Sequence, residues 1–180
     1  MAQIKLDWWK ATEIPLSEGT WRNVKLYCDR NTDWNSSGEF VYVVRLSPPF
    51  AWKYDNGDSP ILYIGRSKDA QGVVQRWKGH LSWINHLGSL LPGGRYELWV
   101  LQNKRYKEIE SDFLMMFKNK YGRLPLVNQK QGAPDESERH EYDDEGLYEL
   151  ADADQDPRYL WALTSRREDV IEYFEKGVVE

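Results

Sequence analysis

Apolar residues fall into runs along the chain that predict three β-strands. The runs at Phe40–Leu46 and Ile61–Ile64 are nearly continuous, which is typical of strands buried on both faces. Tyr96–Gln102 is the third, with side chains that alternate between two faces. Ser47–Pro60 is a turn-rich loop, so we expect the first two strands to be antiparallel neighbours. Gly65 ends the second run, which predicts a turn there.

Two further stretches have the helical period of 3.6 residues. The first spans residues 73–90, and its apolar stripe consists of Val73, Trp77, Leu81 and Ile84. The second spans Arg105–Tyr121, and its stripe consists of Ile109, Phe113, Met116 and Phe117. Gly122 follows the second helix and fits a C-cap. Together these elements predict an α+β fold whose β-β-α-β-α core is a small three-stranded antiparallel sheet flanked by helices.

The regions on either side of this core are less regular. Two short elements are predicted near Ile4–Lys10 and Trp21–Cys28, in an N-terminal extension (residues 1–37) that we expect to pack on the core. Gln131–Gln155 is acidic and contains Gly and Pro, which predicts a linker. Arg158–Lys176 is predicted to be a C-terminal helix. The chain therefore divides into residues 1–37, 38–130 and 131–180.

Composition excludes several classes of protein. A hydrophobic content of 41% and nine tryptophans indicate a globular chain rather than a disordered one. Cys28 is the only cysteine, which excludes an internal disulfide and a cysteine-rich zinc site. No apolar run reaches the ~18 residues of a membrane span, and the N-terminus lacks a signal-peptide pattern. We expect a cytoplasmic protein with no membrane partner.

Charge is unevenly distributed along the chain. Residues 40–130 carry 14 Lys and Arg against 7 Asp and Glu, whereas residues 131–180 carry 5 against 16. A basic middle region is compatible with nucleic-acid binding, although solvated helix charges account for it equally well. Charge alone also supports the hypothesis that the acidic region covers the basic face when DNA is absent.

Six polar residues stand at the ends of the predicted elements. They are Tyr42, Tyr63, Arg76, His80, Glu110 and Asn128. Their order resembles the GIY-YIG nuclease family, which has a Tyr on its first strand, Tyr-Ile-Gly on its second, Arg-x-x-x-His on its first helix, Glu on its second helix and Asn after it. The resemblance covers about half of the chain.

The individual motifs match the family to different degrees. Tyr63-Ile64-Gly65 is identical to the second motif, and Arg76-Trp-Lys-Gly-His80 has the family spacing. Glu110 is followed by Ser-Asp-Phe-Leu-Met, similar to the family's Glu-x-x-Leu-Ile, and Leu124-Pro-Leu-Val-Asn128 resembles its closing Pro-x-x-Asn. The first motif departs from the family, because Phe40-Val41-Tyr42 keeps the tyrosine but lacks the glycine and isoleucine.

The resemblance implies a divalent-metal-dependent endonuclease that hydrolyses double-stranded DNA. Mg²⁺ would be the cofactor, with Mn²⁺ able to replace it, and Glu110 would be its ligand. A small stand-alone chain is most similar to the type II restriction enzymes of the family. One site cuts one strand, so cleavage of both strands implies either a homodimer or two sequential nicks. Residues expected to contact the nucleic acid are Arg66, Lys68, Lys78, Lys104 and Arg105.

The resemblance also implies a role for each of the other catalytic residues. Arg76 would clamp the scissile phosphate. Tyr42 would act as general base or orient the attacking water, assisted by Tyr63 and by His80 as proton acceptor. A free tyrosine titrates near ~10, so this mechanism requires a cation beside Tyr42. Asn128 would tie the second helix to the site through hydrogen bonds.

The same residues are compatible with roles that involve no catalysis. Each tyrosine fits ordinary core packing, Arg76 fits a surface ion pair, and Asn128 fits a turn cap. Glu108 is an alternative to Glu110 on the same helix. At the level of function, the alternatives are a structure-specific repair nuclease and a catalytically inactive domain that binds nucleic acid or a protein.

Overall fold

The protein folds around a four-stranded antiparallel sheet and has the α+β class predicted from its sequence. The computed structural model describes residues 4–18, 20–30, 38–78, 87, 91, 93–128, 142, 145–154 and 156–164. Its strands are β1 (Trp9–Pro15), β2 (Phe40–Leu46), β3 (Phe50–Tyr54), β4 (Gly57–Ser59), β5 (Ile61–Ser67), β6 (Arg95–Gln102) and β7 (Trp161–Leu163). Its helices are α1 (Trp21–Arg30), α2 (Ala70–Lys78), α3 (Tyr106–Tyr121) and α4 (Glu145–Ala151), with a 3₁₀ turn at Leu16–Glu18.

The main sheet has the strand order β1-β6-β2-β5. Strand β2 pairs antiparallel with β5 on one side and with β6 on the other, which confirms that the first two predicted strands are neighbours. All seven residues of β2 are buried, Arg45 included, as expected for a central strand. Strand β6 also pairs with β1, so the N-terminal extension supplies a fourth strand that the three-stranded prediction lacks.

Helices lie on both faces of this sheet. Trp77 of α2 stacks on Tyr96 of β6, with ring centroids 5.2 Å apart. Glu110 of α3, by contrast, forms an ion pair with Arg66 of β5. Tyr96 pairs with Leu46 of β2, and Arg66 pairs with Val41, five residues earlier on the same strand. Because the side chains of a strand alternate between its two faces, the two contacts lie on opposite faces of the sheet. This double cover explains why β2 is buried throughout.

The two predicted core helices are confirmed where the structure describes them. In α2, Val73 and Trp77 are buried, and the Asp69 carboxylate caps the helix by accepting from the Gly72 N–H at 2.6 Å. The predicted continuation from residue 79 to 90 is described only at residue 87, which is helical. In α3, the stripe is buried except for the half-buried Met116, and the left-handed Gly122 (φ 84°) ends the helix with a bond to the Lys118 carbonyl.

A second, three-stranded sheet replaces a predicted loop and the start of a predicted helix. The loop predicted between Ser47 and Pro60 contains the hairpin β3–β4, and β7 pairs in parallel with β3. The helix predicted at Arg158–Lys176 is therefore wrong where residues 158–164 are described. Backbone N–H groups of Leu160 and Trp161 donate to the Pro49 carbonyl at 2.9 and 3.0 Å. This pairing with a distant segment overrides the local apolar spacing; residues 165–180 lie outside the described part.

The acidic region is also partly structured. Helix α4 lies within the predicted linker 131–155, where Leu150 and Ala151 are buried. The Arg45 guanidinium donates to the Leu150 carbonyl at 3.2 Å, and the Tyr121 hydroxyl donates to that of Ala151 at 2.9 Å. These contacts attach the C-terminal end of α4, Leu150 and Ala151, to the core. Among the helices of the described ranges, none has the length and apolar content to cross a membrane.

Candidate active site

Strands β2 and β5 bring the two predicted catalytic tyrosines together. Tyr42 stands opposite Gly65, and Tyr63 stands opposite Val44, so both phenol rings lie on one face of the sheet. Their ring centroids are 5.7 Å apart. Tyr42 is fully buried, and its hydroxyl makes no hydrogen bond of normal geometry within the described part of the chain. Buried polar atoms of this kind are uncommon in folded proteins, although Ser47 and Trp52 of this chain are further examples.

Gly65 leaves the space in which the two rings lie. A Cβ at this position would overlap Cε1 of Tyr63 and stand 2.9 Å from the hydroxyl oxygen of Tyr42. The predicted turn at Gly65 is wrong, because β5 continues through it to Ser67. The sequence did contain the relevant signal, since a glycine inside a strand often marks a close approach to the backbone.

Arg76 approaches the tyrosine pair from α2. Its guanidinium lies within hydrogen-bonding reach of the Tyr63 hydroxyl and lowers the pKa of both phenols. Burial acts more strongly in the opposite direction and raises the pKa of Tyr42 well above its ordinary value, with Tyr63 adding to the rise. Burial likewise raises the pKa of Tyr63. Both residues are therefore neutral phenols near neutral pH.

Glu110 completes the cluster from α3. Its side chain is 15% exposed, and its Oε2 lies 3.4 Å from Nε of Arg66. Burial raises the pKa of this carboxyl, whereas Arg66 and Arg76 lower it. The Glu110 charge in turn raises the pKa of both tyrosines. Glu108, the alternative on this helix, instead forms an ion pair with Arg105 at 2.7 Å.

Asn128 closes the open edge of β5 beside Gly65. Its Nδ2 donates to the Ile64 carbonyl at 2.7 Å, and its Oδ1 accepts from the Ile64 N–H at 3.0 Å. The neighbouring Val127 N–H donates to the Leu62 carbonyl at 3.1 Å. The segment after α3 thus satisfies edge groups of β5 much as another strand would. These bonds connect α3 to the strand that carries Tyr63, in the position predicted for them.

Of the basic residues predicted to contact nucleic acid, the lysines are exposed and the two arginines form ion pairs. Lys68 and Lys104 are exposed and follow β5 and β6, whose ends flank Phe40 of β2. They therefore leave the sheet at the same end. Arg66 and Arg105 have acidic partners, Glu110 and Glu108 respectively. Lys78 is exposed in the last turn of α2, on the helix that also carries Arg76.

The cluster offers the donors that a hard divalent cation uses. Glu110 supplies one partly buried carboxylate, and Mg²⁺ is commonly held by one or two carboxylates while it keeps several waters. Groups of three or more His, Cys, Asp or Glu side chains that could hold a metal are absent from the described residues. The donor set fits a water-rich Mg²⁺ site.

Five of the six predicted site residues are described, and each lies on or against β5 or its neighbour β2. His80 is outside the described residues. The sequence does not predict the contact between Arg66 and Glu110, because it gives the two residues separate roles. No family model, no curated protein and no solved structure matches this chain. Functional interpretation therefore depends on the geometry of the cluster.

Proposed function

We propose that this protein is a divalent-metal-dependent endonuclease that hydrolyses phosphodiester bonds in DNA. The supporting observation is that Tyr42, Tyr63, Arg76 and Glu110, from two strands and two helices, act on one another electrostatically beside Gly65. Phosphodiester hydrolysis needs a positioned water, a cation at the phosphoryl oxygens and a stabilised leaving oxygen. These four side chains supply the protein's share of that chemistry.

Arg76 and the tyrosines have complementary roles in this proposal. The exposed Arg76 guanidinium binds the scissile phosphate through charge-assisted hydrogen bonds. Tyr42 is a neutral phenol, so its hydroxyl orients the attacking water. It would accept the proton of that water only as the phenolate, which forms when nearby positive charge lowers its pKa and its own proton has been released to solvent. Contacts with Tyr63 fix the relative positions of Tyr42 and Arg76. Glu110 would hold Mg²⁺, which when bound supplies positive charge at the phosphoryl oxygens.

We further propose that the substrate is double-stranded DNA and that the enzyme works in the manner of type II restriction enzymes, as a cytoplasmic protein. The exposed Lys68 and Lys104, at one end of the sheet, support a phosphate-binding surface beside the site. Because one cluster cuts one strand, cleavage of both strands requires a homodimer or two sequential nicks. Discrete linear products support restriction-type cleavage, whereas nicked circles support a repair nuclease.

A catalytically inactive domain that binds nucleic acid is the second candidate. Two observations favour it: burial keeps Tyr42 protonated, and Arg66 already neutralises the carboxylate of Glu110. Such a domain would use the same basic residues to bind DNA without cutting it. Its binding would be unaffected by loss of the Glu110 carboxylate.

The test is cleavage of supercoiled plasmid in Mg²⁺ or Mn²⁺ by the wild-type chain, Glu110→Gln and Glu108→Gln, with EDTA as a further control. We expect Glu110→Gln to reduce cleavage by about a hundredfold or more, on the scale of losing one electrostatic contributor. Glu108→Gln removes a carboxylate from the same helix and should retain activity. Absence of cleavage on several DNAs, with binding retained, would favour the inactive domain.

A further inference from the structure

The ion pair between Arg66 and Glu110 occupies the carboxylate that the proposed enzyme needs for its metal. Arg66 Nε lies 3.4 Å from Glu110 Oε2, longer than the ~2.7–2.9 Å of a good charge-assisted hydrogen bond. Arg105 and Glu108, at the start of the same helix, make such a bond at 2.7 Å. The contact at Glu110 is therefore the looser of the two.

The two partners differ in solvent exposure, and Arg66 is the partner that can move away from the ion pair. The Arg66 side chain is 41% exposed, whereas that of Glu110 is 15% exposed. Glu110 is held within the cluster by its position on α3, but the guanidinium reaches solvent. The exposed Lys68 follows two residues later, so the surface next to Arg66 is one on which a phosphate backbone would lie.

A guanidinium and a divalent cation compete for one carboxylate. Both are attracted by the same oxygens and repel each other, and the low dielectric of a partly buried site strengthens both effects. Binding of the cation is thus favoured when Arg66 has another anion to pair with. A DNA phosphate is an anion with the bidentate geometry that arginine prefers.

We propose that Arg66 is a displaceable partner of Glu110, paired with the carboxylate when DNA is absent and with a DNA phosphate when DNA is bound. DNA binding then frees Glu110 for the metal, and by linkage the metal strengthens DNA binding by the same factor. This inference rests on the proposed nuclease function. It makes Arg66 a positioning residue that couples substrate binding to metal binding.

The test measures Mn²⁺ affinity by electron paramagnetic resonance on full-length wild type, Arg66→Gln, Glu110→Gln and Arg95→Gln. Without DNA, Arg66→Gln should bind Mn²⁺ several-fold more tightly than wild type, because the competing cation is gone. Arg95→Gln removes the same charge from an ion pair with Glu13 at the other end of the sheet and should leave Mn²⁺ affinity unchanged. With a short duplex, checked on a gel for intactness, wild type should gain about fivefold or more in Mn²⁺ affinity, and Arg66→Gln should lose that gain.

The possible outcomes separate the inference from the function. The role of Arg66 is overturned if Arg66→Gln binds Mn²⁺ no more tightly than wild type does. It is also overturned if DNA raises the Mn²⁺ affinity of Arg66→Gln as much as that of wild type. If Glu110→Gln abolishes plasmid cleavage in the same preparations, the nuclease function still stands. If wild type does not cleave and Glu110→Gln binds Mn²⁺ as wild type does, the proposed function itself fails.

Discussion

The hydroxyl oxygen of Tyr42 lies 2.9 Å from the point where a Cβ on Gly65 would stand. The two residues face each other across strands β2 and β5, and the Tyr63 ring covers the same glycine. Three residues of the candidate site are thus fitted to one another sterically. The glycine of Tyr63-Ile64-Gly65 has a packing function, independent of any turn.

Gly65→Ala is predicted to disturb both tyrosines. The added methyl group must displace two buried rings, which we expect to destabilise the fold by about 1–3 kcal/mol, the usual effect of overpacking. Cleavage should fall further than stability does, because the rings carry the proposed chemistry. Urea denaturation and plasmid cleavage measure the two effects. Gly38→Ala is a matched control, since the atoms nearest to its methyl group belong to the flexible Gln102 side chain. Equal losses in both variants would contradict the prediction.

Local sequence patterns were sufficient to predict the main sheet and the core helices. A continuous apolar run marked β2 because that strand is buried on both faces and paired on both sides. Helix α3 showed its stripe because one side of it packs on the sheet, and Gly122 marked its end through the left-handed conformation. In each case the residues that define the element are neighbours in sequence.

Long-range pairing was not predictable in the same way. Strand β7 exists because Trp161 pairs with Phe50, and the local spacing of Leu160 and Leu163 fits a helix equally well. The ion pair between Arg66 and Glu110 similarly depends on how α3 packs against β5. The sequence identified which residues carry chemistry, but their contacts depend on the packing of distant elements.

Asn128→Ala is predicted to destabilise the edge of β5. The substitution removes both hydrogen bonds to Ile64, a fully buried residue, and leaves its backbone groups unpaired. We expect a loss of about 1–3 kcal/mol in the free energy of unfolding and faster amide exchange at Ile64. Asn103→Ala removes an asparagine that bonds the exposed Arg105 N–H, and should lose less. Unchanged exchange at Ile64 would show that these bonds contribute nothing.

The exposed lysines at the end of the sheet are predicted to set the salt dependence of DNA binding. If Lys68 and Lys104 each contact a phosphate, changing both to Gln should make the slope of log K against log salt shallower by about 0.9 per contact. Fluorescence anisotropy with a labelled duplex across a salt series measures this slope. Lys53→Gln, an exposed lysine on β3 in the second sheet, should leave it unchanged. Equal slopes in all three proteins would place the DNA elsewhere.

Truncation of the acidic region at residue 131 is predicted to unfold the protein rather than expose a binding face. It removes the buried Leu150 and Ala151 and the carbonyls that pair with Arg45 and Tyr121. Losing the partner of a buried polar group costs about 1–3 kcal/mol each, in addition to the lost apolar burial. Circular dichroism melting should show a large fall in melting temperature. A truncated chain that melts like wild type, and binds DNA more tightly at matched salt, would instead support a shielding role for the acidic region.

Stability is predicted to decline in alkaline solution because buried tyrosines hold their protons. Burial raises the pKa of Tyr42 well above its ordinary value and that of Tyr159 to about 12. The unfolded chain releases these protons near pH ~10, so the native state binds more protons above that pH and the free energy of unfolding falls as pH rises. Below pH ~10 this contribution is fully present. Urea denaturation between pH 8 and 11, with phenolate absorbance at 295 nm, follows both quantities.

Tyr159→Phe is the matched variant for this alkaline effect. It removes one tyrosine of raised pKa, so the free energy of unfolding should fall less steeply above pH ~10 than in wild type. At pH 8 it should be lower by about 1 kcal/mol, because the Tyr159 hydroxyl no longer donates to the Leu46 carbonyl at 3.1 Å. The prediction is contradicted if every tyrosine of the folded protein ionises near pH ~10 while the fold stays intact. The phenols would then be open to solvent. The buried, neutral Tyr42 on which the proposed mechanism depends would have to be abandoned.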